Sequence, residues 1–388
     1  MNFNEIYAEI VKNKENHEGG YFNCIPFMGM ERLEKFIPGI EQDTYYLLTA
    51  SSGVGKSKLA RYLFIHNPCQ FVEKHPESDL KITIKYFSLE ESKKKIILSE
   101  ISKYLFTKYG INVSVKQLQS RGKYNTIDSD TIAKIKEAEE YVKDFLKIVD
   151  IIDNIKNPTG IYKYMRDYAL TIGTYYDKFD KPLTKEEVAK VTNPPDKYDQ
   201  TFKKVSYYKK HNPKHYVIVI VDHISLLEPE SVEGQVLTQW QTMQKFSSKY
   251  CLHMRDKFGF IPVVVQQQAS DKERIDTNYK GNTIEQKLEP SLDGLGDNKT
   301  TQRDANVVLG LFAPNRYGIT EHNGYDIGFF KDRYRSLTIL KDRDGVSNKK
   351  VPLFFDGAVD FFKELPRADD STNLSKVYEY VNKLNRTS

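Results

Sequence analysis

Apolar positions along this chain alternate between two kinds of segment. Short continuous runs, 44–49 (TYYLLT), 216–222 (YVIVIVD) and 261–265 (IPVVV), read as strands buried on both faces, and 81–88 (KITIKYFS) alternates as a strand does. Between them lie stretches with helical spacing. Phe3, Ile6, Tyr7, Ile10 and Val11 make an apolar stripe over 3–14, an amphipathic helix ahead of the core that ends at the polar residues and glycines of 16–20. The pattern predicts further helices through Ile65, to Tyr109, over 128–147 with Asp128 or Ser129 as N-cap, from Pro158 to about Thr171, and over 232–257. It predicts strands at 148–152, 306–312, 335–341, 351–355 and 359–362, the later ones as antiparallel hairpins. A tail helix over 373–385 carries Leu374, Val377, Tyr378, Val381 and Leu384. Strands alternating with helices predict an α/β fold, with a mainly parallel sheet flanked by helices and ligands at the carboxyl ends of its strands.

Two stretches break the pattern. Residues 171–215 hold ten lysines against six acidic residues, with seven Tyr or Phe. Their one helix signal is the capping box from Thr184 to Glu187. The segment 172–215 is expected to be a surface insertion; basic and aromatic residues together suit stacking of single strands, and equally a solvated charged surface. Residues 269–300 form a long polar loop without periodicity.

Composition narrows the classes. The 388 residues are 39% hydrophobic, enough for a substantial core. A net charge of +5 permits nucleic-acid binding without requiring it. Cys24, Cys69 and Cys251 are odd in number and far apart, which predicts no disulfide framework and a reducing cytoplasm. No secretory signal pattern and no membrane-length apolar run is seen, so a cytoplasmic protein without membrane contact is expected.

Candidate chemistry falls at predicted strand ends. Ala50-Ser51-Ser52-Gly53-Val54-Gly55-Lys56-Ser57 lies between a strand and a helix and matches the P-loop pattern, except that Ala50 stands where a glycine is usual. Such a loop curls backbone N–H groups around phosphates, sets a lysine on the terminal ones and puts a hydroxyl on Mg²⁺. Ser52, Gly53, Val54, Gly55, Lys56, Ser57 and Lys58 are therefore the expected ATP cradle. Asp222 ends an apolar strand and suits metal support beside Ser57; His223 follows it. Glu90, with Glu91 adjacent, ends what is expected to be the strand next to the P-loop strand, where a carboxylate can polarise the attacking water.

These segments, in order, resemble the RecA-like motor domain of DnaB-type replicative helicases. The lead-in from Ile25-Pro26-Phe27 to Pro38-Gly39-Ile40, FSLE at 87–90, VIVDHISLLE at 219–228, and Pro262-Val263-Val264-Val265 running into Gln266-Gln267-Gln268 each look like a family motif. So do Asp304-Ala305-Asn306 and Lys341-Asp342-Arg343-Asp344-Gly345. The resemblance covers about 25–365, with 1–24 as a linker helix and 366–388 as a tail. It implies an ATP hydrolase that forms homo-hexameric rings, translocates on single-stranded DNA, and works with a primase or loader. Glu90 takes the catalytic-glutamate role, Gln268 by ungapped counting (or Gln267) the γ-phosphate sensor, and Lys341 and Arg343 the groups reaching a neighbour's nucleotide. Lys272, Arg274, Lys280 and Lys299 in the polar loop are the expected DNA contacts, although Gly296 stands where the family carries an arginine. About 24 residues precede the match in place of the family's helical N-terminal domain, which suggests a phage or mobile-element form. Two other readings stay open: a RecA/KaiC-like ATPase that assembles without unwinding, and an NTP-binding regulatory protein with no nucleic-acid role.

Overall fold

The computed structural model describes residues 2–19, 23–184, 186–188, 205–232, 234–268, 288–295 and 300–387. The apolar runs meet as parallel neighbours. The strands are β1 (Tyr46–Ala50), β2 (Lys81–Ser88), β3 (Val149–Ile152), β4 (Gly173–Asp177), β5 (Val205–Lys210), β6 (His215–Asp222) and β7 (Ile261–Gln267). Then come β8 (Val307–Phe312), β9 (Tyr334–Asp342), β10 (Lys349–Asp356) and β11 (Phe361–Glu364). Nine of them form one sheet in the order β11-β10-β9-β8-β1-β7-β6-β2-β3. From β8 to β3 every pairing is parallel; β9, β10 and β11 add antiparallel strands at the other edge. This is a RecA-like α/β core with C-terminal antiparallel strands.

Residue parity along the strands separates two cores. Leu48, Ile84, Ile220 and Val263 face Leu59, Leu63 and Phe64 of the helix after the P-loop. Leu47, Phe87, Val219 and Val264 face Ile161 and Met165 of the helix Pro158–Ile172, and Phe246 and Tyr250 beyond. That alternation, with both faces apolar, is why these strands read as unbroken apolar runs. The tail helix Ser371–Thr387 lays Leu374 and Val381 against Tyr334 and Phe354.

Several boundaries differ from the expectations. The helix expected to end at Ile65 starts as Lys56–Arg61, passes through a π-helical turn Tyr62–His66 and continues over Asn67–Lys74. The helix expected from 232 starts at Gln239, because Thr238 closes a capping box with Gln241 while Ser231–Val232 and Gln235–Val236 pair as a short hairpin. The insertion contains a hairpin of β4 with β5, whose Tyr175 and Tyr208 turn inward. Its Thr184–Glu187 capping box forms as expected.

Helix α1 (Phe3–Glu18) runs through the residues expected to end it, from a capping box of Asn2 with Glu5. None of its residues is buried: Phe3 is 77% exposed and Ile10 60%. The stripe therefore does not fold back on its own core. No helix among the described residues is long and apolar enough to cross a membrane.

Candidate active site

The P-loop leaves the end of β1. Ala50 is still strand, paired with Gln267, and its backbone is not left-handed, so this position has no need of glycine. Gly53 and Gly55 do have that need, with φ of +70° and +106°. A Cβ on Gly55 would also stand 3.1 Å from the Phe355 ring. Lys56 opens the helix and is 7% exposed; burial pulls its pKa down, while Asp222 and Glu90 act to keep the proton on. The side chain of Lys58 turns elsewhere: its ammonium donates to Asp360 Oδ1 and to the Gly357 carbonyl, each at 2.5 Å. Only its backbone N–H is left to serve phosphate.

β6 delivers Asp222, 2% exposed, to the same place. Ser57 Oγ donates to Asp222 Oδ1 at 2.9 Å and Tyr86 OH to Oδ2 at 2.8 Å. Burial raises the carboxyl pKa, and Arg61 with those two hydrogen bonds opposes the shift. A hydroxyl beside a buried carboxylate is the sparse oxygen set that suits Mg²⁺, which keeps water and phosphate as its other ligands.

Glu90 stands three places from the P-loop strand and not next to it, since β7 and β6 lie between β1 and β2. It reaches the site because β2 and β6 end in register, Ser88 opposite Asp222. Its carboxylate is 58% exposed, 3.7 Å from His223 Nε2. His223 is 7% exposed, and its Nδ1 has no hydrogen-bond partner among the described residues; burial, then the Lys56 charge, lowers its pKa. Glu91 points away, onto Arg61 at 2.9 Å and Lys95 at 2.5 Å. This geometry separates the two adjacent glutamates. Glu90→Gln should bind ATP and hydrolyse it at least about 100-fold more slowly, the scale of a lost general base. Phosphate release compared with Glu91→Gln checks it, because a larger loss in Glu91→Gln would move the role by one residue.

Parity decides among the three glutamines after β7. Val263 and Val265 face the P-loop helix, and so does Gln267. Gln266 and Gln268 take the other side. Gln266 bonds Leu295 O and Thr301, while Gln268 donates to Thr49 Oγ1 at 2.9 Å and Ser291 O at 3.3 Å. The ungapped choice of Gln268 thus meets a side chain already turned away from the phosphates, and Gln267 is the residue on their face.

Lys341 and Arg343 stand at the opposite end of the sheet. Lys341 pairs with Val308, itself level with Leu47 at the start of β1. The Lys341 ammonium caps backbone carbonyls of Gln302, Arg303 and Ala305, and the Arg343 guanidinium donates to Arg303 O. Lys272, Arg274, Lys280 and Lys299, with Gly296, lie outside the described residues.

The fold supplies groups that no motif announced. Arg335, 1% exposed, donates through Nε to the Val54 carbonyl at 2.7 Å and lies on the Phe355 ring at 4.5 Å. Arg316 donates to Ser52 O, and Tyr317 OH to Ser51 Oγ at 3.2 Å. The antiparallel edge and the turn after β8 thus brace the P-loop from outside.

A phosphate loop at the end of β1, a carboxylate at the end of β6 and a glutamate beyond β2 define a RecA-like P-loop core. The fold is the one seen in the ATPase domain of DnaB-type replicative helicases. It is similar to a solved structure of an isolated ATPase domain, at a TM-score of 0.61 and 17% identity over 93% of this chain and 99% of that one. A DnaB-like replicative helicase, studied with its interactions with primase, matches at 0.60 and 16% identity over 94% of this chain and 67% of that one. No family model and no curated protein matches the sequence.

Proposed function

We propose that the chain is an ATP-hydrolysing motor that closes into rings and translocates on single-stranded DNA as a replicative helicase. The observation that carries this reading is the division of the site: phosphate cradle, metal carboxylate and glutamate meet at one end of the sheet, while Lys341 and Arg343 stand at the other. A neighbouring copy then completes each site. Gly53 to Ser57 wrap the phosphates with backbone N–H groups, and Lys56 binds the terminal oxygens. Mg²⁺, when bound, supplies charge neutralisation on those oxygens and is held by Ser57 and Asp222. Glu90 orients the attacking water and takes its proton, and Gln267 faces the outer phosphate. Lys272, Arg274, Lys280 and Lys299 would track the DNA backbone with little sequence preference. A primase or loader is the partner expected from the helicase likeness. Imaging with an ATP analogue and oligo-dT, followed by strand displacement, tests the reading. Rings with ATP-dependent displacement support it; assembly and hydrolysis without displacement would favour the RecA/KaiC-like alternative, and DNA-independent hydrolysis without rings the regulatory one.

The exposed stripe of α1 fits a neighbour's surface. Burying its five apolar side chains would contribute about 1.5–3 kcal/mol each before ordering costs. Removing residues 1–20 should leave a folded, ATP-binding monomer that no longer forms hexamers. Light scattering with an ATP analogue reads this out, with circular dichroism for folding; hexamers of normal stability in the truncated protein would rule the tether out.

A further inference from the structure

We infer that Arg61 is the positioning residue of the hydrolytic centre, anchored by Asp360 and acting through Glu91 and Tyr86, a role that rests on the ATPase reading above. Arg61 lies on the P-loop helix and is 2% exposed. Its Nε and Nη2 donate to Asp360 Oδ2 at 3.1 and 2.6 Å, and its Nη1 to Glu91 Oε2 at 2.9 Å, with Tyr86 OH at 3.4 Å. Asp360, itself 1% exposed, also accepts from Lys58 at 2.5 Å and Ser99 at 2.9 Å. One planar guanidinium, whose fork fixes the angle between its partners, thus ties three segments together. These are the P-loop helix, the turn after β2, and the loop between β10 and β11.

Both reacting ends of the site depend on what it holds. Tyr86 OH is the partner of Asp222 Oδ2 at 2.8 Å. Glu90 has no hydrogen bond of its own carboxylate among the described residues, so its place is set by the turn that carries it. That turn is fixed through Glu91. The Glu91 N–H donates to Ser88 Oγ at 3.2 Å, Ser88 Oγ donates to the Glu91 carbonyl at 2.7 Å, and the Glu91 carboxylate closes on Arg61 and Lys95. A buried charge cluster is a costly way to stabilise a fold; what this one achieves is a fixed distance between the P-loop helix and the glutamate turn. The Arg61 charge holds the Asp360 carboxyl well below the usual range although burial pushes it up, so the anchor stays ionised.

The test uses the full chain with steady-state phosphate release, affinity for a nonhydrolysable ATP analogue and thermal melting. Glu91→Gln keeps both backbone bonds to Ser88 and weakens only the clamp. Arg61→Lys keeps a charge for Asp360 but cannot span to Glu91. Each should lower kcat about tenfold, below the roughly 100-fold that an ångström-scale misplacement can cost. KM and analogue affinity should stay within about twofold, and the melting temperature close to that of the parent. Parental kcat in either folded variant overturns the inference, as does a loss of kcat that comes only with raised KM and lowered melting. If Arg61→Lys does not fold, Glu91→Gln decides alone. Lys56→Ala run alongside separates the two levels. If it is inactive while Glu91→Gln is unimpaired, only the role of Arg61 falls; if it hydrolyses at the parental rate, the ATPase reading falls.

Discussion

Lys56→Ala should hydrolyse no ATP. Lys56 is the one ammonium at the mouth of the P-loop among the described residues, because Lys58 is committed to Asp360 and Gly357. It opens the helix at a buried position with Asp222 and Glu90 close enough to hold its charge against desolvation. Alanine is tolerated at a first helical turn, so the fold should survive. What is lost is the charge on the terminal phosphates, where transition-state charge has to be stabilised. Phosphate release with circular dichroism gives the answer, and a folded variant that turns over like the parent would mean that Gly53-Val54-Gly55-Lys56-Ser57 is not the phosphate site.

Arg343→Ala should bind ATP and hydrolyse it about 1,000-fold more slowly, the scale of an arginine finger. Position is the reason. Lys341 sits level with Leu47, and the cradle starts at Ser51, about 13 Å farther along at the strand rise of 3.3 Å per residue. Arg343 lies beyond Lys341, on the side away from the cradle, where its backbone N–H meets Asn306 O. The guanidinium has no route to its own phosphates and has one to a neighbour's. Mixing Arg343→Ala with Lys56→Ala subunits should therefore restore part of the activity, since some interfaces then join an intact loop to an intact finger. Mixed rings without recovery would count against a role in trans.

The parts of this molecule that were legible in the sequence are those whose physics is local. Strands buried on both faces betray themselves as apolar runs, which is how β1, β6 and β7 were found, and a glycine-containing loop before a lysine and a hydroxyl needs only its own residues. Glu90 was legible for the same reason, but its strand was misplaced, because strand order is decided by crossovers that no single segment encodes. The choice between Gln267 and Gln268 needed the register of β7 against β1, which counting from Pro262 does not provide. Arg335, Phe355, Arg316 and Asp360 were invisible. Each comes to the P-loop or its helix from hundreds of residues away, and an arginine in an antiparallel strand looks like any surface charge until the fold closes over it. The hairpin within the insertion was missed because half of its pattern is polar.

The placement of the two cationic side chains on β9 and the turn after it has a consequence for symmetry. A surface that offers a cradle at one end and a finger at the other is unlike itself. Two copies related by a twofold axis would set cradle against cradle, or finger against finger, and neither contact makes a working site. Only head-to-tail stacking does, and such stacking has no natural last member: it ends when the rotation per step returns the chain to its start, or it grows as a helix. An isolated copy is half of two different catalysts, so the specific activity of this protein should climb with concentration more steeply than in proportion to the amount present.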